Sequence, residues 1–258
     1  MNMTLQRALL EQDRPSAFFE KLRRQGQLLP LYPELEALIG VEQSPVHHPE
    51  GDVWAHTMLV VDQAALLQDR AVHPLAFMLA ALCHDLGKPA TTAVVKGKLH
   101  ALGHETAGLA PARAFMTRME VSPSAAGVVL NLIRLHMRPN MMAAMNSRAK
   151  SWNRLFYEAC CPEDLLLLAR ADALGRGKEE PYEDTARLLQ QQLQRFRRHM
   201  AEPRVTEADL REAGIPAGPA AQKALELAVQ LHLAEVPRAA ALPQVLAAAR
   251  KALRKGSA

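Results

Sequence analysis

Apolar runs punctuated by proline and glycine set the tightest limit on what this chain can fold into. One run, FMLAALCHDLG, follows Pro74 and ends at Gly87, with Pro89 barring its continuation; another, LLLLARADALGR, follows Pro162. Proline suits the first turn of a helix, where its missing N–H would go unpaired anyway, and glycine is a common helix stop. Aromatic residues are only 4% of a chain that is 49% hydrophobic, and Ala and Leu dominate the apolar runs. That composition favours helix packing over a sheet, which would draw on more Val, Ile and Tyr. The expected class is all-α.

Short helices are expected at Leu5 to Leu10 and Phe18 to Arg24, followed by turns and a polar loop from Gln43 to Gly51. Between Val53 and Leu67 the apolar residues Leu59, Val60, Ala64 and Leu67 recur on a helical face, which puts His56 in the first turns of a helix. His84 and Asp85 then fall in the last turn of the next helix. The run TTAVVKGKLHALGH suits a small hairpin about Lys96-Gly97, and His104-Glu105 opens a helix toward Met119. Ser124 to Met137 reads as a helix closed by Pro139 with His136 at its end, and Asp172 lies near the end of the apolar segment after Pro162. Asp184 to Met200 is long and amphipathic. Beyond Pro203 the chain turns Ala-rich, with two or three short helices separated at Gly214 to Pro219 and at Pro243. The expected organisation is a helical bundle over 1–200 with a small helical extension over 201–258.

At 258 residues the chain can bury a core without metals or disulfides to hold it. A net charge of +4 is too mild for a dedicated polyanion binder, and Lys21, Arg23, Arg24 and Arg195, Arg197, Arg198 read as solvated helix faces that could also attract phosphate. Cys83, Cys160 and Cys161 form no framework of spaced pairs, so reduced thiols are expected. The first residues lack the apolar core of a secretory signal, and no apolar stretch reaches the roughly 18 residues of a membrane span. A cytoplasmic protein with no membrane association is expected; nothing here speaks to its oligomeric state.

Eight of the ten histidines, His47, His48, His56, His73, His84, His100, His104 and His136, crowd the middle of the chain. Imidazoles with carboxylates are the usual ligands of borderline divalent metals. His84-Asp85 at a helix end can approach one ion from two directions, although such a dipeptide also serves surface and helix-terminal roles. Asp172, on a helix apolar enough to be buried, needs a partner to offset its desolvation. A metal would serve, and so would Arg170 or Arg176.

The order His56, His84-Asp85, Asp172 resembles the HD superfamily of metal-dependent phosphohydrolases. The runs HHPEGDVWAHT, ALCHDLGKP, LGHE, IRLHMRP and RADALGRG look like the HD half of bacterial multifunctional CCA-adding tRNA nucleotidyltransferases. The resemblance runs from about Leu29 into the tail, where VTEADLREAGIPAGPAAQKALELA is similar to the segment after the HD domain of those enzymes. A Gly-Gly-x-Val-Arg-Asp run and a following Asp-x-Asp pair do not occur in these 258 residues, so CCA addition by this chain alone is not expected.

The resemblance implies an HD-type bundle and hydrolysis of phosphoesters, as phosphatase or phosphodiesterase, on nucleotides or on phosphorylated or cyclic-phosphate RNA ends. It implies His56, His84, Asp85 and Asp172 as metal ligands, with Asp85 a catalytic residue that bridges two ions or orients water. His104 and His136 either bind a second ion or act as helix-end and phosphate-contacting groups. Lys88 is placed as a catalytic and substrate-binding cation, with capping of a helix end as the plainer role. Arg138 is a candidate phosphate contact, and His47, His48, His73 and His100 are loop or substrate-proximal groups. The cofactor expected is one or two divalent ions: Mn, Co or Ni from the nitrogen-rich ligand set, or Mg. A module of another class, docking tRNA or scaffolding a separate nucleotidyltransferase, is the competing reading.

Overall fold

The computed structural model describes residues 3–177 and 182–256. It is helical apart from one antiparallel hairpin, as the composition predicts. The elements that frame the site and the second unit are, in chain order, α1 (Met3–Leu10), α2 (Ser16–Arg24), α3 (Val53–Ala65), α4 (Pro74–Cys83), β1 (Thr92–Val95) and β2 (Lys98–Ala101). They continue as α5 (His104–Ala107), α6 (Leu109–Arg118), α7 (Pro123–Leu135), α8 (Met137–Ala144), α9 (Ala149–Glu158), α10 (Pro162–Leu174) and α11 (Glu183–Ala201). The last three are α12 (Glu207–Glu212), α13 (Pro219–Leu233) and α14 (Arg238–Gly256). Among the described residues no helix is long and apolar enough to cross a membrane.

By packing, Met1–Met145 with Ala159–Leu189 form one compact unit, and Asn146–Glu158 with Gln190–Ala258 form another. The boundary near residue 200 drawn from composition stays a proposal about which stretch folds independently.

The first unit is built around α4. Its residues from Ala76 to Cys83 are all buried, because the run is apolar on every face and a helix of that kind is stable only when surrounded. It packs against α1, α3, α7 and α10. Polar side chains pin the ends of these helices. Asp52 caps α3 by accepting from Ala55 N at 2.8 Å, and its other oxygen accepts from Gly40 N at 2.7 Å. Asp164, fully buried at the start of α10, accepts from the N–H groups of Val72 and His73 at 2.7 and 3.0 Å and so ties the entry of α4 to α10. The starts of α3, α4 and α10 are thereby set before any site chemistry is considered.

The expected hairpin forms in the register Thr92↔Ala101 to Val95↔Lys98, with Lys96 and Gly97 at φ 52 and 74. Two positive φ values in a two-residue loop match the twist of the strands they join. Three local expectations need correction. The helix opening at His104 breaks at Gly108 before resuming as α6. Pro139 does not close a helix: the chain bends at His136, and Pro139 lies in the first turn of α8, where no N–H is needed. Pro243 lies inside α14, and the separation falls instead at Glu235, with φ 61, and Pro237.

The second unit has its own small core of Val205, Leu210, Ile215, Ala224 and Val245, with α13 packed against α14. Thr206 opens α12 in a capping box with Asp209, whose carboxylate also pairs with Arg238. That guanidinium and the Thr206 N–H hold the Asp209 carboxyl well below the usual carboxylate range.

The approach of α3 to the end of α10 leaves no room for a side chain. A Cβ on Gly175 would lie 2.5 Å from Val60 Cγ2 and 3.0 Å from the Val60 backbone. Gly175→Ala is expected to force these helices apart and to destabilise the protein by about 1 to 3 kcal/mol, the usual cost of overpacking, as measured by chemical denaturation.

Candidate metal centre

Four imidazoles and two carboxylates converge inside the first unit, and the chain's local geometry aims each of them. His84 and Asp85 occupy the turn that leaves α4, His136 lies at the bend between α7 and α8, and His104 begins α5 just after β2. In all three histidines Nδ1 lies against the carbonyl oxygen three residues earlier: His84 on Ala81 at 2.9 Å, His104 on Ala101 at 2.7 Å and His136 on Ile133 at 2.6 Å. An Nδ1–H donated to a carbonyl leaves Nε2 as the free lone pair, the form in which imidazole binds metal. His56, in the first turns of α3, meets Glu50 Oε1 with its Nδ1 at 2.7 Å.

The Nε2 atoms all turn inward. His56 Nε2 is 3.1 Å from Asp172 Oδ1 and 3.4 Å from His84 Nε2, while His104 Nε2 is 3.4 Å from His136 Nε2. Asp85 lies between the two sides. Its Oδ2 is 3.1 Å from His84 Nε2 and 3.8 Å from His56 Nε2, and its Oδ1 is 3.4 Å from His104 Nε2. Ligand atoms of His56, His84 and Asp172 all fall within 4.8 Å of one another, and so do those of His84, Asp85 and His136. All six residues named from the sequence therefore meet in one place.

Close backbone contact makes this possible. A Cβ on Gly87 would lie 2.1 Å from His104 O, so only glycine lets α5 approach the turn that carries His84 and Asp85. Gly108, where the helix breaks, packs against the same spot.

The electrostatics suit a cation. Asp85 is 1% exposed, and neither of its oxygens accepts a properly directed hydrogen bond. Burial alone would raise its pKa, but His84 and the Lys88 ammonium, 2.7 Å from Oδ2, hold the carboxyl well below its ordinary range. Asp172 is likewise held down against its burial, by His56 and Arg176. Burial, reinforced by His84, pushes His136 down to about 3, so it is neutral and able to ligate at ordinary pH. Buried carboxylate oxygens, those of Asp85 lacking directed hydrogen bonds, converging with imidazole nitrogens fit a divalent ion of borderline softness.

Of the partners considered for Asp172, Arg176, one helical turn on, donates to Oδ2 at 3.2 Å, while Oδ1 faces His56 Nε2. Arg170 goes instead to Glu183. A cavity of 340 Å³ opens beside the cluster, with Asp85, Asp172, His104, Lys88 and Arg176 in its walls. Lys88 Nζ also donates to Gln43 Oε1 at 2.5 Å, which joins the polar loop to the site. His47, His48 and His100 line this cavity too, whereas His73 binds Asp164. Arg138 does not line it; its neighbour Met137 does.

Sequence reasoning missed Gln43 and Glu50 and left Arg176 as no more than an ion-pair candidate. Arg176 follows Asp172 by four residues, the spacing of neighbours on a helix face, which was a usable signal. Glu50 lies in the HHPEG run six residues before His56, but nothing local shows that it turns back onto that ring.

The HD domain family matches residues 53–177. The chain is 39% identical over 170 residues to the Multifunctional CCA protein of Actinobacillus pleuropneumoniae serotype 5b (strain L20), covering 64% of this chain and 40% of that one. It is 37% identical over 184 residues to the Multifunctional CCA protein of Laribacter hongkongensis (strain HLHK9), covering 68% and 43%. With that of Methylococcus capsulatus (strain ATCC 33009 / NCIMB 11132 / Bath) the identity is 34% over 239 residues, covering 82% and 54%. The chain thus spans about half or less of the length of these relatives.

Asp85→Asn removes a buried charge at little steric cost. In the presence of chelator the variant is expected to melt below the wild-type temperature, because it leaves the buried Lys88 ammonium without the carboxylate 2.7 Å away. Added Mn, Co or Ni should raise the melting temperature of the wild type and leave that of the variant nearly unmoved. A differential scanning measurement with and without metal checks both halves.

Proposed function

The chain carries an HD domain over residues 53–177, and from that premise we propose that it is a divalent-metal-dependent phosphohydrolase acting on nucleotides or on phosphorylated or cyclic-phosphate RNA ends. The observation that carries this reading is Asp85, buried between two sets of inward-turned imidazoles beneath a cavity that also holds two cations. His56, His84, Asp85 and Asp172 would hold one ion, and Asp85 with His104 and His136 a second. A divalent ion in such a site acidifies water toward neutral pH and offsets charge on phosphoryl oxygens.

The protein's own groups do the rest. Lys88 and Arg176, each anchored on a ligand carboxylate, face the cavity from separate elements and meet the phosphate charge. Asp85, held ionised by His84 and Lys88, orients the attacking water. Burial and the neighbouring Lys88 charge push His48 down to about 4, so it faces the substrate as a neutral ring.

The 340 Å³ cavity is at the small end of ligand sites, about 300 to 1,000 Å³, and suits a single nucleotide. A wider groove of 900 Å³ shares Gln43, Ser44, His48 and Leu99 with it and has room for chain beyond the reacting end. The relatives' name, Multifunctional CCA protein, supports an RNA end, and so tRNA, as the natural substrate or partner.

Chelated protein is expected to be inactive on nucleoside mono- and cyclic phosphates and on short RNA ends, and to recover with Mn, Co or Ni. Asp85→Ala should lose at least 100-fold in turnover, the order expected when a group acting on the reacting water is removed, with its circular dichroism unchanged. Arg176→Ala should raise KM more than it lowers kcat. Tight tRNA binding with no turnover under any metal would favour the scaffold reading.

A further inference from the structure

The four inward-turned histidines are not held alike. His84, His104 and His136 each direct Nδ1 to the carbonyl three residues back in the chain. His56 cannot do so. It lies inside α3, where the corresponding carbonyl, Val53 O, is bonded within the helix and also accepts the Thr57 hydroxyl at 2.8 Å. Its Nδ1 lies 2.7 Å from Glu50 Oε1, off the direction of a full hydrogen bond, and since a lone pair would not approach a carboxylate so closely this contact calls for a proton on Nδ1, just as Nε2 at 3.1 Å from Asp172 Oδ1 carries one until metal displaces it.

Glu50 is itself buried, with a side chain 3% exposed. The same Oε1 takes the Nδ1 of His48 at 2.8 Å, and the two rings meet edge to face with centroids 4.8 Å apart. Its Oε2 is buried without a partner, so the charge of this carboxylate is spent on two imidazoles. A carboxylate is a stronger acceptor than a carbonyl and makes the opposite ring nitrogen a better donor to metal.

We propose that Glu50 is a positioning residue that holds the His56 ring at its Nδ1 side and makes the His56, His84 and Asp172 position the tighter of the metal positions. The inference rests on the metal-dependent reading above and deepens it. It also links the loop of Glu42 to His48, which lines the cavity, to the metal through one carboxylate oxygen.

Two measurements test it, one of them without metal. Ring ¹H–¹⁵N correlation spectra of the chelated wild type should show a proton held on His56 Nδ1, and Glu50→Ala should lose it. Calorimetric titration with Mn or Co should then show the first ion binding about 10- to 100-fold more weakly in Glu50→Ala, with the number of ions at saturation unchanged. Glu50→Gln, which keeps a neutral acceptor and the side-chain volume, should fall between the two and guards against simple misfolding.

A wild-type His56 with no proton on Nδ1 would overturn the proposal while leaving metal-dependent turnover intact. Unchanged first-ion affinity in both variants would do the same. If the wild type binds three ions and Glu50→Ala loses one, then Glu50 is a ligand with His48 and His56, and the positioning role is wrong. No metal binding by the wild type would sink the phosphohydrolase reading and the affinity difference together.

Discussion

A carboxylate with both oxygens buried must be compensated, and in this protein that carboxylate is Asp85. The effective penalty for taking an ion out of water is several kcal/mol even after relaxation. Lys88 meets one oxygen, but neither oxygen gains a directed hydrogen bond, and imidazole nitrogens stand on both sides. The surrounding fold concentrates negative charge at one point and then aims imidazole nitrogens at it. That arrangement has little value for stability and much for holding a cation. The completely buried α4 serves this end, because its apolar faces anchor the turn that carries His84 and Asp85.

The site depends on two places where backbones touch. At Gly87 the His84-Asp85 turn meets the start of α5, and at Gly175 the end of α10 meets α3. A methyl group at either would intrude on main-chain atoms, which cannot rotate away as a side chain can. Since His56 and Val60 share α3, and Asp172 and Gly175 share the other element, the contact between Val60 and Gly175 also sets the 3.1 Å pair of His56 and Asp172.

The second unit is organised by other means. Its core is made largely of Ala, Leu and Val from α13 and α14, and its polar groups serve structure. His199 and His232 stack with centroids 3.9 Å apart, each giving Nε2 to the other's carbonyl at 2.8 Å. Reciprocal bonds of this kind tie two helices together. Histidine alone is thus a poor marker of chemistry, and the inward rings of the first unit are distinguished by the two carboxylates on which their Nε2 atoms converge.

Local sequence settled most helices and the hairpin turn at Lys96-Gly97, because apolar periodicity, capping and turn preferences act over a few neighbours, whereas the six converging residues were named through the resemblance of their order to the HD superfamily. The failures were local too. Pro139 and Pro243 were read as stops, yet proline is tolerated wherever the N–H it lacks is not needed, and that depends on where the helix begins. What the sequence left open was the second partner of each side chain. Whether Asp172 took a metal or an arginine was undecided, and its two oxygens face His56 and Arg176 separately. Glu50 and Gln43 carried no mark at all. His56 and Asp172 are 116 residues apart, and their meeting depends on the helices that carry them packing as they do. The sequence by itself determined which groups could ligate; the tertiary structure decided which nitrogen and which oxygen of each faces inward, because that orientation is set by contacts between elements distant in the chain.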